Sequence, residues 1–224
     1  MQGERSIGRS LFLAKWSIYF IGLLIMSFGI VLMIRADLGS APWDVFHIGL
    51  FYQIGLTIGT WSIIAGFFIL AISSLIVKRL PSVGAFLNML MVGIFIDMYL
   101  FIPYLKTPLS FFGQLFMLII GVLVIGIGIG VYISSRCGAG PRDSLMIALT
   151  EKTGFKVQHI RLAMELIVLC VGWLLGGPVF IGTILFSFTI GPIVGWTLPA
   201  CQKTTDNILY KIQHKNDNNL TMQL

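Results

Sequence analysis

Long apolar runs, separated by short stretches of glycine, proline and charged residues, cover most of the chain. About 20 consecutive apolar residues allow a helix to cross the hydrocarbon core of a membrane. The pattern predicts six membrane-spanning helices, at residues 16–34, 57–77, 82–102, 109–133, 161–176 and 179–198. Two further helices, at residues 43–53 and 142–150, are too short to span. The expected fold class is therefore an all-α, polytopic membrane helical bundle.

Two features of the sequence define the predicted domains. Pro199 is expected to end the sixth span, because proline in a helix interior removes a backbone hydrogen bond. Residues 202–224 are polar and are expected to form a solvated cytoplasmic tail. The chain is thus divided into a first membrane repeat at 1–105, a second at 106–201 and the tail at 202–224.

The distribution of lysine and arginine predicts the orientation of the spans, because these residues are enriched on the cytoplasmic side. If the two short helices do not cross, Arg35 and Lys106 lie outside and the other thirteen of the 15 lysine and arginine residues lie inside. If both short helices cross, lysine and arginine are divided less unequally between the two sides of the membrane. The pattern favours six spans, cytoplasmic N- and C-termini, and short helices that are re-entrant or interfacial.

The two halves of the chain match at an offset of 99 residues. Between residues 29–55 and 128–154, nine of 27 positions are identical, and both segments contain Gly-x-x-Pro-x-Asp, at 39–44 and 138–143. Each half then contains three spans, an odd number, which predicts two inverted repeats. Inverted repeats with broken helices recur in secondary transporters, with the substrate site at the repeat interface. If the short helices cross, the repeats become parallel.

Each Gly-Pro-Asp element predicts the start of a helix. Proline is well placed in the first turn, and the helix dipole stabilises an aspartate there. An ionisable residue at membrane depth is also a functional candidate. We therefore expect a substrate site between the two helix starts, with Asp44 and Asp143 as its ionisable groups. The residues expected to shape the backbone around it are Gly39, Pro42, Gly138 and Pro141. The acids should favour a cation or proton, unless Arg142 reverses the balance.

The remaining polar residues of the apolar segments have simpler expected roles. Asp97 is expected to form an ion pair with Arg35 or Lys106. Arg161 and Glu165 have the i,i+4 spacing of a helical ion pair. Asn88 is expected to hydrogen-bond another helix. His47 is interpreted as a packing residue.

Composition excludes several classes of protein. Hydrophobic residues make up 57% and charged residues 11% of the chain, whereas ordinary globular proteins contain roughly 25% charged residues. A cytosolic enzyme domain, a disordered chain and a secreted scaffold are excluded. The net charge of +6 is attributed to the cytoplasmic face rather than to nucleic-acid binding. Because protease, lipase, nucleotide-loop and metal motifs are absent from the sequence, we expect no enzymatic activity, no cofactor and no metal site.

Several motifs resemble those of a known family. Residues 34–39 read Ile-Arg-Ala-Asp-Leu-Gly, residues 40–44 Ser-Ala-Pro-Trp-Asp, residues 55–59 Gly-Leu-Thr-Ile-Gly and residues 137–143 Cys-Gly-Ala-Gly-Pro-Arg-Asp. They are similar to motifs of the bacterial YczE/YyaS/YitT family of integral membrane proteins, over about residues 12–200 of this chain. The resemblance implies a multi-pass protein of a bacterial cell membrane and no particular chemistry.

Two functions follow as hypotheses. The first is a secondary transporter or permease of a small solute or ion, and the second is a non-transporting accessory or scaffold protein that supports a partner enzyme at the cytoplasmic face. Transport predicts a polar cavity lined by both aspartates, whereas the accessory role predicts a solid apolar bundle. The expected partners are the lipid bilayer, a small solute or ion, and a second copy or another membrane protein.

Overall fold

The structure is a bundle of helices. The computed structural model describes the backbone of residues 2–138 and 140–221, and the side chains of residues 8–138 and 140–214. Within these residues the chain forms eight helices and no strand. They are α1 (Gln2–Ala36), α2 (Pro42–Ile54), α3 (Ile58–Val77), α4 (Val83–Leu100), α5 (Phe111–Ser134), α6 (Pro141–Thr153), α7 (Val157–Leu174) and α8 (Ile181–Thr221).

Six of the helices, α1, α3, α4, α5, α7 and α8, are long and apolar enough to cross a membrane. The other two, α2 and α6, have 13 residues each. At about 1.5 Å of rise per residue, such a helix covers about 20 Å of a hydrocarbon core that is about 30 Å thick. The predicted all-α membrane bundle, with six spans and two short helices, is confirmed.

Local sequence explains where the helices begin. Thr57, Ser82 and Ser110 precede α3, α4 and α5, and each side chain accepts a hydrogen bond from the backbone N–H three residues later. This contact satisfies one of the N–H groups that a helix start leaves free. In contrast, α2 and α6 begin with proline and have no side-chain cap.

The core of the bundle forms where α1 packs against α5. Glycines allow the two helices to approach closely, as small residues do between membrane helices. A Cβ atom at Gly29 would lie 2.6 Å from the backbone nitrogen of Ile125 and 2.8 Å from the carbonyl oxygen of Gly121. Buried side chains of both helices, including Leu23 and Leu118, fill the remaining space.

The short helices pack across the boundary between the two predicted repeats. Helix α2 lies against α7, and α6 lies against α3. The approach of α2 to α7 again depends on glycine, because a Cβ atom at Gly172 would lie 2.6 Å from the backbone nitrogen of Phe46. Because each short helix contacts a spanning helix of the other half, both short helices lie at the junction of the two halves.

Backbone geometry corresponds between the halves at the offset of 99 residues. Positive φ angles occur at Asp37 (56°) and Arg136 (57°), which follow the ends of α1 and α5. They also occur at Gly55 (85°) and Gly154 (72°), the residues that cap α2 and α6 at their C-terminal ends. The matching residues therefore share a positive φ, although ψ differs between Gly55 (−145°) and Gly154 (3°). The inverted orientation of the repeats remains a prediction.

The end of the sixth span differs from the prediction. Helix α8 continues through Pro192 and Pro199 to Thr221, so Pro199 does not end it. Beyond Pro199, Thr205 is buried and its hydroxyl lies 2.7 Å from that of Ser134. Arg136 also pairs with Asp206 at 3.1 Å. These contacts with the end of α5 hold the first part of the predicted tail in place; residues 222–224 lie outside the described residues.

Candidate functional site

The starts of α2 and α6 face one another. Each helix begins with a proline and carries an aspartate at its third position, Asp44 in α2 and Asp143 in α6. The turns leading into them contain Gly39 (φ 97°) and Gly138 (φ 147°), a backbone conformation that glycine adopts without steric cost. Arg142, beside Asp143, reaches across to α2. The two predicted helix starts therefore meet.

A cavity of about 270 Å³ lies between the two helix starts. Side chains from α1 through α8 line it, and most of its wall is apolar. The polar side chains that face it are Asp44, His47, Ser62, Asn88, Tyr132, Arg142, Asp143, Arg161 and Glu165. An apolar pocket with a few convergent polar groups is the usual form of a small-molecule site.

Arg142 connects the two short helices. Its Nη2 atom lies 4.0 Å from Oδ1 of Asp44, and its guanidinium lies 4.8 Å from the centre of the Trp43 ring, in cation–π geometry. Trp43 and Arg142 occupy corresponding positions of the two repeats, at the offset of 99 residues. Equivalent positions of the two halves thus contact each other at the cavity.

Asp44 is a buried carboxylate without a hydrogen-bond donor among the residues that the structure describes. The nearest cationic or titratable nitrogens are Nη2 of Arg142, at 4.0 Å, and Nδ1 of His47, at 3.9 Å. Burial raises the pKa of Asp44 to about 6, although the charge of Arg142 opposes the shift. Asp44 is therefore largely ionised at neutral pH and protonated in mild acid.

Asp143 has more neighbours than Asp44. Burial raises its pKa, while the positive charges of Arg161 and Arg142 and a hydrogen bond from Tyr132 act in the opposite direction. The hydroxyl of Tyr132 donates to Oδ2 of Asp143 over a long distance of 3.4 Å. The environments of the two aspartates therefore differ, although their positions in the repeats correspond.

Two further residues that line the cavity each contain a buried nitrogen without a hydrogen-bond partner. These nitrogens are Nδ1 of His47, on α2, and the side-chain nitrogen Nδ2 of Asn88, on α4. Burial, followed by the charge of Arg142, lowers the pKa of His47 well below its ordinary value, so the imidazole is neutral. Because buried polar groups are normally hydrogen-bonded, these two atoms are exceptions, and they lie just beneath the surface of the cavity that their residues line.

Of the residues predicted to form the site, Asp44, Asp143, Pro42 and Pro141 line the cavity. Gly39 and Gly138 do not line it. A Cβ atom at Gly39 would lie 2.8 Å from the backbone nitrogen of Phe180, and one at Gly138 would lie 2.9 Å from Cα of Gly84. The two glycines therefore support the helix starts from behind, through close backbone packing.

The predicted ion pairs have different outcomes. Nε of Arg161 lies 3.1 Å from Oε1 of Glu165, and both residues face the cavity. Arg35 does not pair with Asp97; it donates to the carbonyl of Leu100 at 2.8 Å.

The start of α3 explains this difference. Asp97 accepts hydrogen bonds from the Thr57 hydroxyl at 2.5 Å and from the Gly59 N–H at 2.9 Å. Free N–H groups and the helix dipole at the start of α3 stabilise this carboxylate.

Sequence reasoning assigned too little importance to three residues of the site. The sequence predicts a packing role for His47 and a bond to another helix for Asn88, but both residues line the cavity and each has a buried nitrogen without a partner. Tyr132 lies near the end of a predicted span, where tyrosine is common at the membrane interface, so its position alone does not indicate a site. The available signal was polarity within otherwise apolar helices. No group of three or more His, Cys, Asp or Glu residues suited to a metal ion occurs in the described part of the chain.

Comparison with known proteins agrees with this architecture. A family model described as "Family of unknown function (DUF6198)" matches residues 13–199. The chain is 48% identical to the "Uncharacterized membrane protein YczE" of Bacillus subtilis over 187 residues, which cover 83% of this chain and 86% of that protein. It is also 30% identical over 193 residues to the "Uncharacterized protein YyaS" of the same organism, covering 84% of this chain and 94% of that protein.

A third relative comes from a different bacterium. An "Uncharacterized protein" of Haemophilus influenzae is 31% identical over 198 residues, which cover 88% of this chain and 86% of that protein. No solved structure shows significant similarity to the chain. The expected resemblance to YczE and YyaS is confirmed. The chain is a multi-span helical membrane protein and belongs to the DUF6198 family.

Proposed function

We propose that this protein is a secondary transporter or permease for a small solute or ion, and that its substrate binds between the starts of α2 and α6. The observation that carries this proposal is the cavity of about 270 Å³ that both Asp44 and Asp143 line. Broken helices that meet at such a cavity are the usual binding-site design of secondary transporters. The role is a non-enzymatic one.

The energetic cost of the cavity residues supports the proposal. Ionisable groups inside a membrane protein are expensive and are retained mainly where they bind or move ions and solutes. This cavity places Asp44, Arg142 and Asp143 together. A bundle that served only as an anchor would gain stability from apolar packing at these positions. The transport hypothesis predicted a polar cavity, and this cavity is lined by both aspartates but has a mostly apolar wall. The accessory role predicted a solid bundle, so the presence of the cavity favours transport.

The proposal also specifies location and orientation. The protein resides in a bacterial cell membrane, with both termini in the cytoplasm and two inverted repeats of three spans. Support comes from the lysine and arginine distribution and from two short helices that are too short to cross. Each short helix packs on a span of the other repeat, so relative movement of the repeats would open the cavity to either side.

Flux through reconstituted protein tests the proposal. Proteoliposomes are prepared with an imposed pH gradient or membrane potential, and uptake is measured for rubidium, isopentylamine, leucine, succinate and ribose, which represent five classes of charge and size. We expect uptake of at least one class to exceed that of protein-free liposomes. The double variant Asp44→Asn/Asp143→Asn should lose at least nine-tenths of this flux, roughly 1.4 kcal/mol or more of transition-state stabilisation.

The matched control is Asp206→Asn, because Asp206 pairs with Arg136 on the exposed surface, away from the cavity. This variant should transport as the wild type does. Flux equal to that of protein-free liposomes for all five probes, or unchanged flux in the double variant, would contradict the proposal.

A further inference from the structure

The charges that face the cavity leave an excess of one negative charge. Arg161 and Glu165 form a close ion pair and cancel. The remaining ionised groups are Asp44, Asp143 and Arg142, two carboxylates against one guanidinium. His47 is buried and contributes no positive charge. The Asp44 side chain is only 3% exposed, whereas that of Arg142 is 42% exposed. Uncompensated charge is costly where it is buried, so the cavity favours an occupant with a single positive charge next to Asp44.

The hydrogen-bonding groups next to the cavity also favour a cationic occupant. The Asp44 carboxylate has no donor within hydrogen-bonding distance in the described part of the chain, and it lies 3.9 Å from the unpartnered Nδ1 of His47. A neutral imidazole nitrogen that lacks its hydrogen is an acceptor. In the tautomer that carries its proton on Nε2, Nδ1 of His47 is an acceptor next to Asp44, and an ammonium group at Asp44, with several N–H donors, bonds to both once the imidazole turns toward it.

The walls favour an organic occupant over a bare metal ion. Four methionines, Met26, Met89, Met146 and Met164, line the cavity together with isoleucines. Methionine is flexible and adapts to irregular apolar shapes, whereas hard cations require a shell of oxygen ligands.

An anionic group fits the same cavity poorly. The N-termini of α2 and α6 would attract an anion by themselves, but each carries an aspartate in its first turn. Arg142 is already engaged with Asp44 and Trp43. A substrate carboxylate that paired with Arg142 would lie beside both aspartates. The cavity total would become −2 with an anion and −1 with a zwitterion, against zero with a monovalent cation.

We infer that the cavity binds a small monovalent organic amine, with its ammonium group at Asp44 and His47 and its apolar body against the methionine wall. This inference rests on the proposed function and names its substrate class. It excludes anions of the same shape as substrates and ranks zwitterions below amines.

Three ligands that share one apolar body test the inference. Isopentylamine carries only an ammonium group, leucine carries both an ammonium and a carboxylate, and 4-methylpentanoate carries only the carboxylate. Binding of each to the full-length protein in lipid nanodiscs is measured by calorimetry at pH 8. We expect isopentylamine to bind at least ten times more tightly than leucine, and 4-methylpentanoate not to bind. The inference would be overturned if leucine or 4-methylpentanoate bound more tightly than isopentylamine, or if isopentylamine did not bind.

Variants test the placement of the ammonium group. Asp44→Asn should weaken isopentylamine at least tenfold, and Asp206→Asn should leave it unchanged. Arg142→Gln should strengthen binding several-fold, because it removes the internal cation that competes for Asp44. A purely structural role of Arg142 would instead weaken binding, and that result would contradict the inference.

The binding assay separates this inference from the transport proposal. Amine binding that depends on Asp44, without flux of any probe, would support the substrate class and contradict transport. Aspartate-dependent flux of succinate or leucine, without amine binding, would support transport and overturn the substrate class.

Discussion

Asp44 is the side chain on which the chemistry of the cavity depends. It is buried, it lacks a hydrogen-bond donor among the described residues, and its negative charge is only partly offset by Arg142 at 4.0 Å. Burial raises its pKa to about 6, so its charge changes within the physiological range. Protonation of this carboxyl group therefore changes the charge of the site by one unit.

Amine binding should depend on pH through Asp44. The groups that face Asp44 are His47 on its own helix, Arg142 and Asp143 on α6, Tyr132 on α5, and the Arg161–Glu165 pair on α7. Lowering the pH from 7 to 5 protonates Asp44 and should weaken isopentylamine, which stays protonated throughout, by about tenfold. Calorimetry at several pH values measures this change. The dependence should be lost in Asp44→Asn and retained in Asp143→Asn; its persistence in Asp44→Asn would contradict the assignment.

The stability of the ligand-free fold should decrease as the pH rises, which is the reverse of the pH dependence of amine binding. The folded-state pKa of Asp44, about 6, lies above the ordinary value of 3.8. Protonation therefore stabilises the fold, and this contribution is present at low pH and is lost as the pH rises through 6. Asp44→Asn keeps the shape without the charge and should raise the thermal midpoint by several degrees at pH 8 in the absence of ligand. Below pH 4 the two proteins should unfold together, and a lower midpoint for the variant at pH 8 would contradict this prediction.

The helices around the cavity are held by backbone contact as much as by side-chain burial. In lipid, apolar side chains gain little from leaving the solvent, so close van der Waals packing contributes more to helix association. Glycines supply that packing where α1 meets α5 and where α2 meets α7. The site is thus positioned by surfaces that tolerate almost no added volume.

Gly29→Ala tests the contact between α1 and α5. Its Cβ atom would lie 2.6 Å from the backbone nitrogen of Ile125, and backbone cannot move aside as a flexible side chain can. We expect a loss of about 1–3 kcal/mol from overpacking, measured as a lower thermal midpoint in detergent. Gly195→Ala is the matched control, because no atom lies within 4 Å of its Cβ position. Equal midpoints for the two variants would contradict this role for glycine.

The extension of α8 beyond Pro199 can be tested at its buried hydrogen bond. The Thr205 hydroxyl lies 2.7 Å from that of Ser134 on α5. Thr205→Val keeps the shape, removes the bond and should lower the free energy of unfolding by about 1 kcal/mol. Thr204→Val is the control, because the Thr204 hydroxyl is exposed and bonds only to the carbonyl of Ala200 in its own helix. Destabilisation by the control alone would argue against docking of this segment on α5.

The arrangement of the whole chain in the membrane follows from the six spans and the unequal distribution of basic residues. The turns between α3 and α4 and between α4 and α5 carry the most informative charges, at Lys78 and Lys106, both exposed. If α2 does not cross, the turn at Lys78 lies in the cytoplasm and the turn at Lys106 lies outside. The proposed orientation of the protein in the membrane depends on this assignment.

Cysteine labelling tests the assignment. In a background with Cys137, Cys170 and Cys201 replaced by serine, Lys106→Cys should react with a membrane-impermeant maleimide on intact cells. Lys78→Cys should react only after the cells are permeabilised. External labelling at Lys78 would mean that α2 crosses the membrane, which would overturn the inverted arrangement of the repeats.

The sequence by itself determined the number of spans, the two short helices and the Gly-Pro-Asp starts. Apolar length, proline and glycine act locally, so a single chain reveals them. It did not determine the length of α8, because Pro199 is accommodated within a helix whose later residues, Thr205 and Asp206, contact the end of α5. Nor did it indicate the bonding of Asp97, whose donors at the start of α3 are about 40 residues away.

Only the tertiary structure decided which polar groups share the cavity. His47, Asn88 and Tyr132 belong to three different helices, and their common surroundings arise because α2 and α6 pack across the boundary of the repeats. The charge total of the site likewise required the pairing of Arg161 with Glu165 and the contact of Arg142 with Asp44. Charge balance and unpartnered polar atoms are properties of an enclosed volume, which forms only when distant segments of the chain meet.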